Sequence, residues 1–261
     1  MPTIQTDDGC QIHVQVEGPA DAPVLILSNS LGTNLHMWDD QAPALSQQFR
    51  LVRYDRRGHG QSSVPKGPYS MERLGRDVLA IADGLGAKTF NWCGLSMGGM
   101  VGQWLGANAP DRVEKLILSN THYGYQEKGF WNDRIKFVQE KGLAAMVGPN
   151  MERWFTREFR ERAPQAIARM KEMFVATKPE GFIACCEAIR DMDFTQSTPR
   201  ITRPTLVIVG RHDPSTPPAA GEWIAQNIKG AKLVTLEAAH ISNIEQPKAY
   251  TDAVIGFLTG R

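Results

Sequence analysis

An open, mostly parallel sheet covered by helices on both faces is the α/β architecture that this sequence predicts. Three observations carry it. Short apolar runs alternate with longer helical patterns, most of the runs are too continuous for a half-exposed strand, and one long segment between two strands is purely helical. The chain has 261 residues, 42% of them hydrophobic and 22% charged. That is enough apolar material to bury both faces of a sheet in one large domain with an insertion.

Gln11 to Val16 alternates apolar and polar residues, as a half-exposed strand does. Val24-Leu25-Ile26-Leu27 is continuous, as a strand buried on both faces must be. Phe49 to Tyr54, Phe90 to Gly94, Val113 to Leu118, Thr205 to Val209 and Lys232 to Leu236 read as further strands. Between them, Arg73 to Leu85, Met97 to Ala109, Ala219 to Ile228 and Gln246 to Leu258 read as helices. The opening segment has strands with no helix between them, so it is expected to form an antiparallel edge.

From His122 to about Pro199 the rhythm changes: helix formers and aromatics, among them Phe130, Trp131, Trp154, Phe174 and Phe182, run on without a strand. This predicts a helical cap at residues 122–199 over the carboxyl edge of a core made of 1–121 and 200–261. Pro149, Pro164 and Pro179 are expected to mark helix boundaries inside the cap.

A formal net charge of +1 gives no footprint for nucleic acid and no attraction to an anionic membrane. No apolar run reaches the roughly 18 residues that span a bilayer. The first residues, Met1-Pro2-Thr3-Ile4, lack the basic start and apolar centre of a secretion signal. The expectation is therefore a cytoplasmic protein whose four cysteines, Cys10, Cys93, Cys185 and Cys186, are free thiols. No metal-ligand spacing is present, so no metal is expected.

Gly94-Leu95-Ser96-Met97-Gly98 fits G-x-S-x-G, with a strand leading in and a helix leading out. A serine on so sharp a turn stands above the sheet, and glycines two residues to either side let neighbouring backbone close in. The helix start also offers N–H groups to a developing oxyanion. Serine is a weak nucleophile until a base takes its proton. Asp213 and His240 each follow a strand, in Gly210-Arg211-His212-Asp213 and Glu237-Ala238-Ala239-His240, so both fall on the edge where Ser96 lies. The plain alternatives are a turn aspartate and a packed histidine. His212 sits beside Asp213 and should point elsewhere, and His13, His36, His59 and His122 lack a loop position after the acid. His122, at the start of the insertion, remains able to line a pocket. A second oxyanion donor is needed from Ser28-Asn29-Ser30-Leu31-Gly32-Thr33, which assigns the amides of Leu31 and Met97 to that task.

Together Asp55-Arg56-Arg57-Gly58-His59-Gly60-Gln61-Ser62, Gly94 to Gly99 and Gly210 to Asp213 resemble the α/β-hydrolase superfamily over about residues 10 to 121 and 200 to 260. Arg56, Arg57 and His59 are read as structural. Many members carry His-Gly where this chain has Asn29-Ser30, which leaves the backbone donors in place but changes what shapes the loop. Within the superfamily, Ser28 to Thr33, Met37-Trp38 and Gly94 to Met100 look like the 3-oxoadipate enol-lactonases of aromatic-compound breakdown. The resemblance implies that Ser96 attacks a lactone carbonyl, His240 takes its proton, Asp213 orients His240, and the amides of Leu31 and Met97 hold the oxyanion. An enolate then leaves, water activated by His240 frees a keto-dicarboxylate, and the resemblance implies that no metal or organic cofactor is needed.

The implied partner is a small anionic lactone, so the pocket needs a cation. Trp131 and Arg134 are spaced i, i+3 and share a face if helical; Arg134 could clamp the carboxylate and Trp131 wall the ring, or they could be a surface arginine and a core tryptophan. Other serine hydrolases stay open: a carbon–carbon bond hydrolase of meta-cleavage products, a general carboxylesterase, or a cofactor-free perhydrolase. A ligand-sensing receptor on the same fold is the alternative from another class.

Overall fold

The computed structural model describes residues 3–260; Met1 and Pro2, the start of the segment read above for a secretion signal, lie outside them. The strands are β1 (Thr3–Gln5), β2 (Gln11–Glu17), β3 (Val24–Ser28), β4 (Arg50–Tyr54), β5 (Phe90–Leu95), β6 (Val113–Ser119), β7 (Thr205–Gly210) and β8 (Lys232–Leu236). They form one sheet in the order β1-β2-β4-β3-β5-β6-β7-β8. The first two pairings, β1 with β2 and β2 with β4, are antiparallel, and all the others are parallel.

Seven of these strands follow the predicted runs to within two residues at either end. The eighth, β1, is three residues long and has no periodicity to read. β3, β5 and β7 are buried almost end to end, because helices cover both sheet faces and leave no side for polar residues.

The helices around the sheet are α1 (Ala42–Leu45), α2 (Met71–Gly84), α3 (Met97–Asn108), α9 (Pro218–Asn227), α10 (Ser242–Glu245) and α11 (Pro247–Thr259). Between β6 and β7 come α4 (Gly129–Lys141), α5 (Val147–Trp154), α6 (Arg157–Arg162), α7 (Pro164–Val175) and α8 (Pro179–Asp191). Pro164 and Pro179 each open a helix, where the missing N–H has no acceptor to lose. Pro149 is not a boundary. It is the third residue of α5, still in the first turn, where backbone N–H groups also lack helical acceptors.

α2 begins two residues before its predicted start because Ser70 caps it, its hydroxyl accepting the Arg73 N–H at 3.1 Å. All four cysteines are buried and unpaired. No helix among the described residues is long and apolar enough to cross a membrane.

Candidate active site

Ser96 is the single residue between β5 and α3, and its backbone sits at φ 59°, ψ −116°. A residue with a Cβ rarely adopts a positive φ, so the surroundings must hold it there. They do so through the Ser96 N–H, which donates to the Ser119 carbonyl at 2.8 Å, and the Thr121 hydroxyl, which donates to the Ser96 carbonyl at 2.8 Å. Two glycines make the turn possible: a Cβ on Gly94 would run into the Gly98 carbonyl, and one on Gly98 into the Ser28 carbonyl.

β7 and β8 end on the same side of the sheet as β5, and their loops bring Asp213 and His240 to Ser96. His240 Nε2 is 2.9 Å from Ser96 Oγ, and His240 Nδ1 is 2.8 Å from Asp213 Oδ2. Burial alone would raise the Asp213 pKa, but His240 and the Thr216 donors outweigh it and hold the carboxyl below its ordinary value. An ionised Asp213 can only accept. Nδ1 therefore carries the imidazole proton, which leaves Nε2 free to accept from the Ser96 hydroxyl.

Asp213 is saturated with donors. Its Oδ1 accepts the amides of Ser215 at 2.7 Å and Thr216 at 3.0 Å. Its Oδ2 accepts the Thr216 hydroxyl at 2.7 Å, the Asn120 amide at 3.0 Å and the His240 N–H. Asp213-Pro214-Ser215-Thr216 closes as an Asx turn, a local signal that the sequence carried. Asn120 was not identified from sequence. It stands at the end of β6, and its relation to Asp213 exists only because β6 lies between β5 and β7 in the sheet.

The loop Ser28 to Thr33 is held by Trp38, by Tyr54 at the end of β4 and by Arg56 and His59 just after it. Asn29 spans it, donating to the Tyr54 carbonyl and accepting the Trp38 indole N–H, both at 2.9 Å. Arg56 donates to the Asn29 carbonyl, and the Gly32 N–H donates to His59 Nε2 at 3.0 Å. Arg57 instead pairs with buried Asp77 at 2.6 Å. Among the described residues, no acceptor is found for the N–H of Leu31 or of Met97.

Ser96 and His240 open onto a cavity of about 240 Å³, also lined by Ser30, Leu31, Met100 and Thr216. Trp131 and Arg134 both line it, on one face of α4, with the guanidinium 5.9 Å from the indole centroid. Arg134 Nη2 donates to Asn150 Oδ1 at 3.0 Å. Three buried donors here have no partner: Trp131 Nε1, Arg134 Nε and Asn150 Nδ2. Burial lowers the Arg134 pKa, and the charge of Arg153 pushes the same way against the nearby Cys186.

Asn150, Arg153 and Trp154 line the cavity from α5. Their i, i+3, i+4 spacing was legible, but sequence reasoning did not single out Asn150 or Arg153. His122 does not line this cavity. Its ring stacks on Tyr125 at 4.4 Å and faces a neighbouring cavity of about 480 Å³. His212 lies exposed beside Glu237, away from Ser96.

A strained serine between a strand and a helix, a histidine and a carboxylate from two later strand ends, and a helical segment over them define a class. The profile of the alpha/beta hydrolase fold matches residues 23–247, and the chain belongs to that family. It is 42% identical to 3-oxoadipate enol-lactonase 2 of Acinetobacter baylyi over 91% of this chain and 89% of the relative. It is 35% identical to 3-oxoadipate enol-lactonase 1 of the same organism, over 98% and 96%. The crystal structure of the enol-lactonase from Burkholderia xenovorans superposes with a TM-score of 0.97 at 43% identity, covering 99% of this chain and 100% of that one.

Proposed function

We propose that this chain is a serine hydrolase that opens a small anionic lactone, 3-oxoadipate enol-lactone, to 3-oxoadipate. The observation that carries the reading is the hydrogen-bonded line Ser96 Oγ, His240 Nε2, His240 Nδ1, Asp213 Oδ2, at 2.9 and 2.8 Å. Ser96 is the nucleophile, His240 the general base and then acid, and Asp213 the group that fixes the imidazole tautomer. The amides of Leu31 and Met97 stabilise the oxyanion.

The steps follow from those positions. Ser96 Oγ attacks the lactone carbonyl as its proton passes to His240. The tetrahedral oxyanion collapses and expels the ring oxygen as a delocalised enolate, to which His240 passes its proton, leaving an acyl-enzyme. His240, neutral again, takes a proton from water, whose oxygen attacks the ester, and returns that proton to Ser96 Oγ as the second tetrahedral intermediate collapses.

Arg134 and Asn150 meet the substrate's carboxylate and Trp131 walls its ring; the unpartnered donors of those three side chains support this. Residues 122–199 act as the cap over a core of 1–121 and 200–261. The named activity of the Acinetobacter and Burkholderia relatives supports the choice of lactone.

Steady-state kinetics on the enol-lactone beside p-nitrophenyl acetate tests the reading. A kcat/KM at least about 10²-fold higher on the lactone is expected; faster turnover of the simple ester would sink the lactone assignment and leave a carboxylesterase.

A further inference from the structure

The cavity beside Ser96 holds two cations and no carboxylate. Arg134 reaches it from α4 and Arg153 from α5. Among the described residues neither guanidinium has a carboxylate at ion-pair distance, although Arg57, Arg73, Arg112 and Arg190 in the same chain all do.

Each cavity arginine is instead fixed by neutral groups. Arg134 donates to Asn150 Oδ1 at 3.0 Å and lies 5.3 Å from the Phe182 ring centroid. Arg153 Nε donates to Ser215 Oγ at 3.3 Å, and its guanidinium lies 5.1 Å from the Phe130 ring centroid. These contacts set the direction of both forks without cancelling their charge. Two uncompensated positive charges beside one small cavity repel each other and lose hydration, a cost that an anion in the cavity would offset.

One carboxylate accounts for one of them. The proposed substrate brings a single negative charge. Its hydrolysis, lactone monoanion plus water giving dicarboxylate dianion plus a proton, ends with two. The tetrahedral intermediate carries two as well. The cation content of the cavity therefore fits the ring-opened dianion better than the lactone that enters.

We infer that Arg153 is a second carboxylate-binding residue, which with Arg134 makes the cavity a two-point site for linear dicarboxylates. This rests on the lactone reading above for the length of the ligand, but not for its charge. Arg153 is also tied to the reacting groups: Ser215, which it holds, donates its own amide to Asp213 Oδ1 at 2.7 Å. A dianion seated on Arg153 competes with the next substrate.

The test is calorimetric titration of the full chain with adipate and, as the monoanionic control of equal length, hexanoate. The wild type should bind adipate about tenfold or more tighter than hexanoate, since a charge-assisted bidentate contact is at stake. Arg153→Met should bring that preference to within about twofold, and Arg153→Lys, which keeps the charge without the fork, should retain part of it. No detectable adipate binding, equal affinities in the wild type, or an unchanged preference in Arg153→Met would each overturn the inference. Should Arg153→Met fail to fold, a full preference in Arg153→Lys decides against a bidentate contact. A wild type that turns over the lactone but shows no adipate preference removes this inference alone; a wild type that shows the preference but fails to turn over the lactone removes the substrate assignment alone.

Discussion

Asn120 Nδ2 donates to Asp213 Oδ2 at 3.0 Å from a backbone held at φ 43°. The same amide reaches the Ala239 carbonyl at 3.2 Å, and its Oδ1 accepts the Ser242 hydroxyl at 2.6 Å. One side chain from the end of β6 thus spans the loop that carries the acid and the loop that carries His240.

Asn120 is accordingly a positioning residue. Asn120→Gly tolerates the positive φ while removing the side chain, so its effect reports the lost contacts and not backbone strain. A hydrogen bond to a charged acceptor contributes about 1.5–3 kcal/mol, so kcat should fall by about 10- to 100-fold with KM within about twofold. Steady-state kinetics reads this directly; an unchanged kcat counts against the role.

His59 gives the protein an acid sensitivity remote from Ser96. Burial and the charge of Arg56 depress its pKa from 6.5 to about 3, and as a neutral ring it accepts the Gly32 N–H of the loop Ser28 to Thr33. A group whose folded pKa is depressed contributes stability that is complete above its unfolded pKa and is lost as pH falls toward the folded one. The window here runs from about 6.5 down to 3. Below pH 6.5 the stability advantage of wild type over His59→Gln should shrink by about 1.4 kcal/mol per pH unit. Urea unfolding at pH 7.5, 6 and 5 measures it, and a constant difference would exclude His59 as the source.

Arg134→Ala should separate anionic from neutral substrates. The charge-assisted contact with the carboxylate proposed for it implies a rise in KM of about 10- to 100-fold for the enol-lactone. For p-nitrophenyl acetate, which offers no anion, KM should stay within about twofold. Equal effects on both substrates would show that Arg134 shapes the cavity without binding charge.

Much of this molecule could be read from order along the chain. Apolar runs located seven strands because a sheet covered on both faces forces its strands to be continuously apolar. That Ser96, Asp213 and His240 would meet was legible because each lies within four residues after the end of a strand, and parallel strands deliver such positions to one edge. What escaped depends on neighbours in space. Asn120 matters because of strand order, which no local pattern encodes. Asn150 and Arg153 reach the cavity because of how α5 packs over the sheet edge, which their helical spacing alone does not encode. Asn29 holds its loop through an amide that bonds at both ends, to the Tyr54 carbonyl and the Trp38 indole N–H, a pairing that no local pattern encodes.

Ser96→Ala tests the central claim most directly. With the hydroxyl gone, kcat on the enol-lactone should fall by about 10³-fold or more, while the melting temperature stays within a few degrees of wild type. The account predicts that pairing of lost turnover and kept fold; a folded Ser96→Ala protein that still turns the lactone over at a wild-type rate would contradict it.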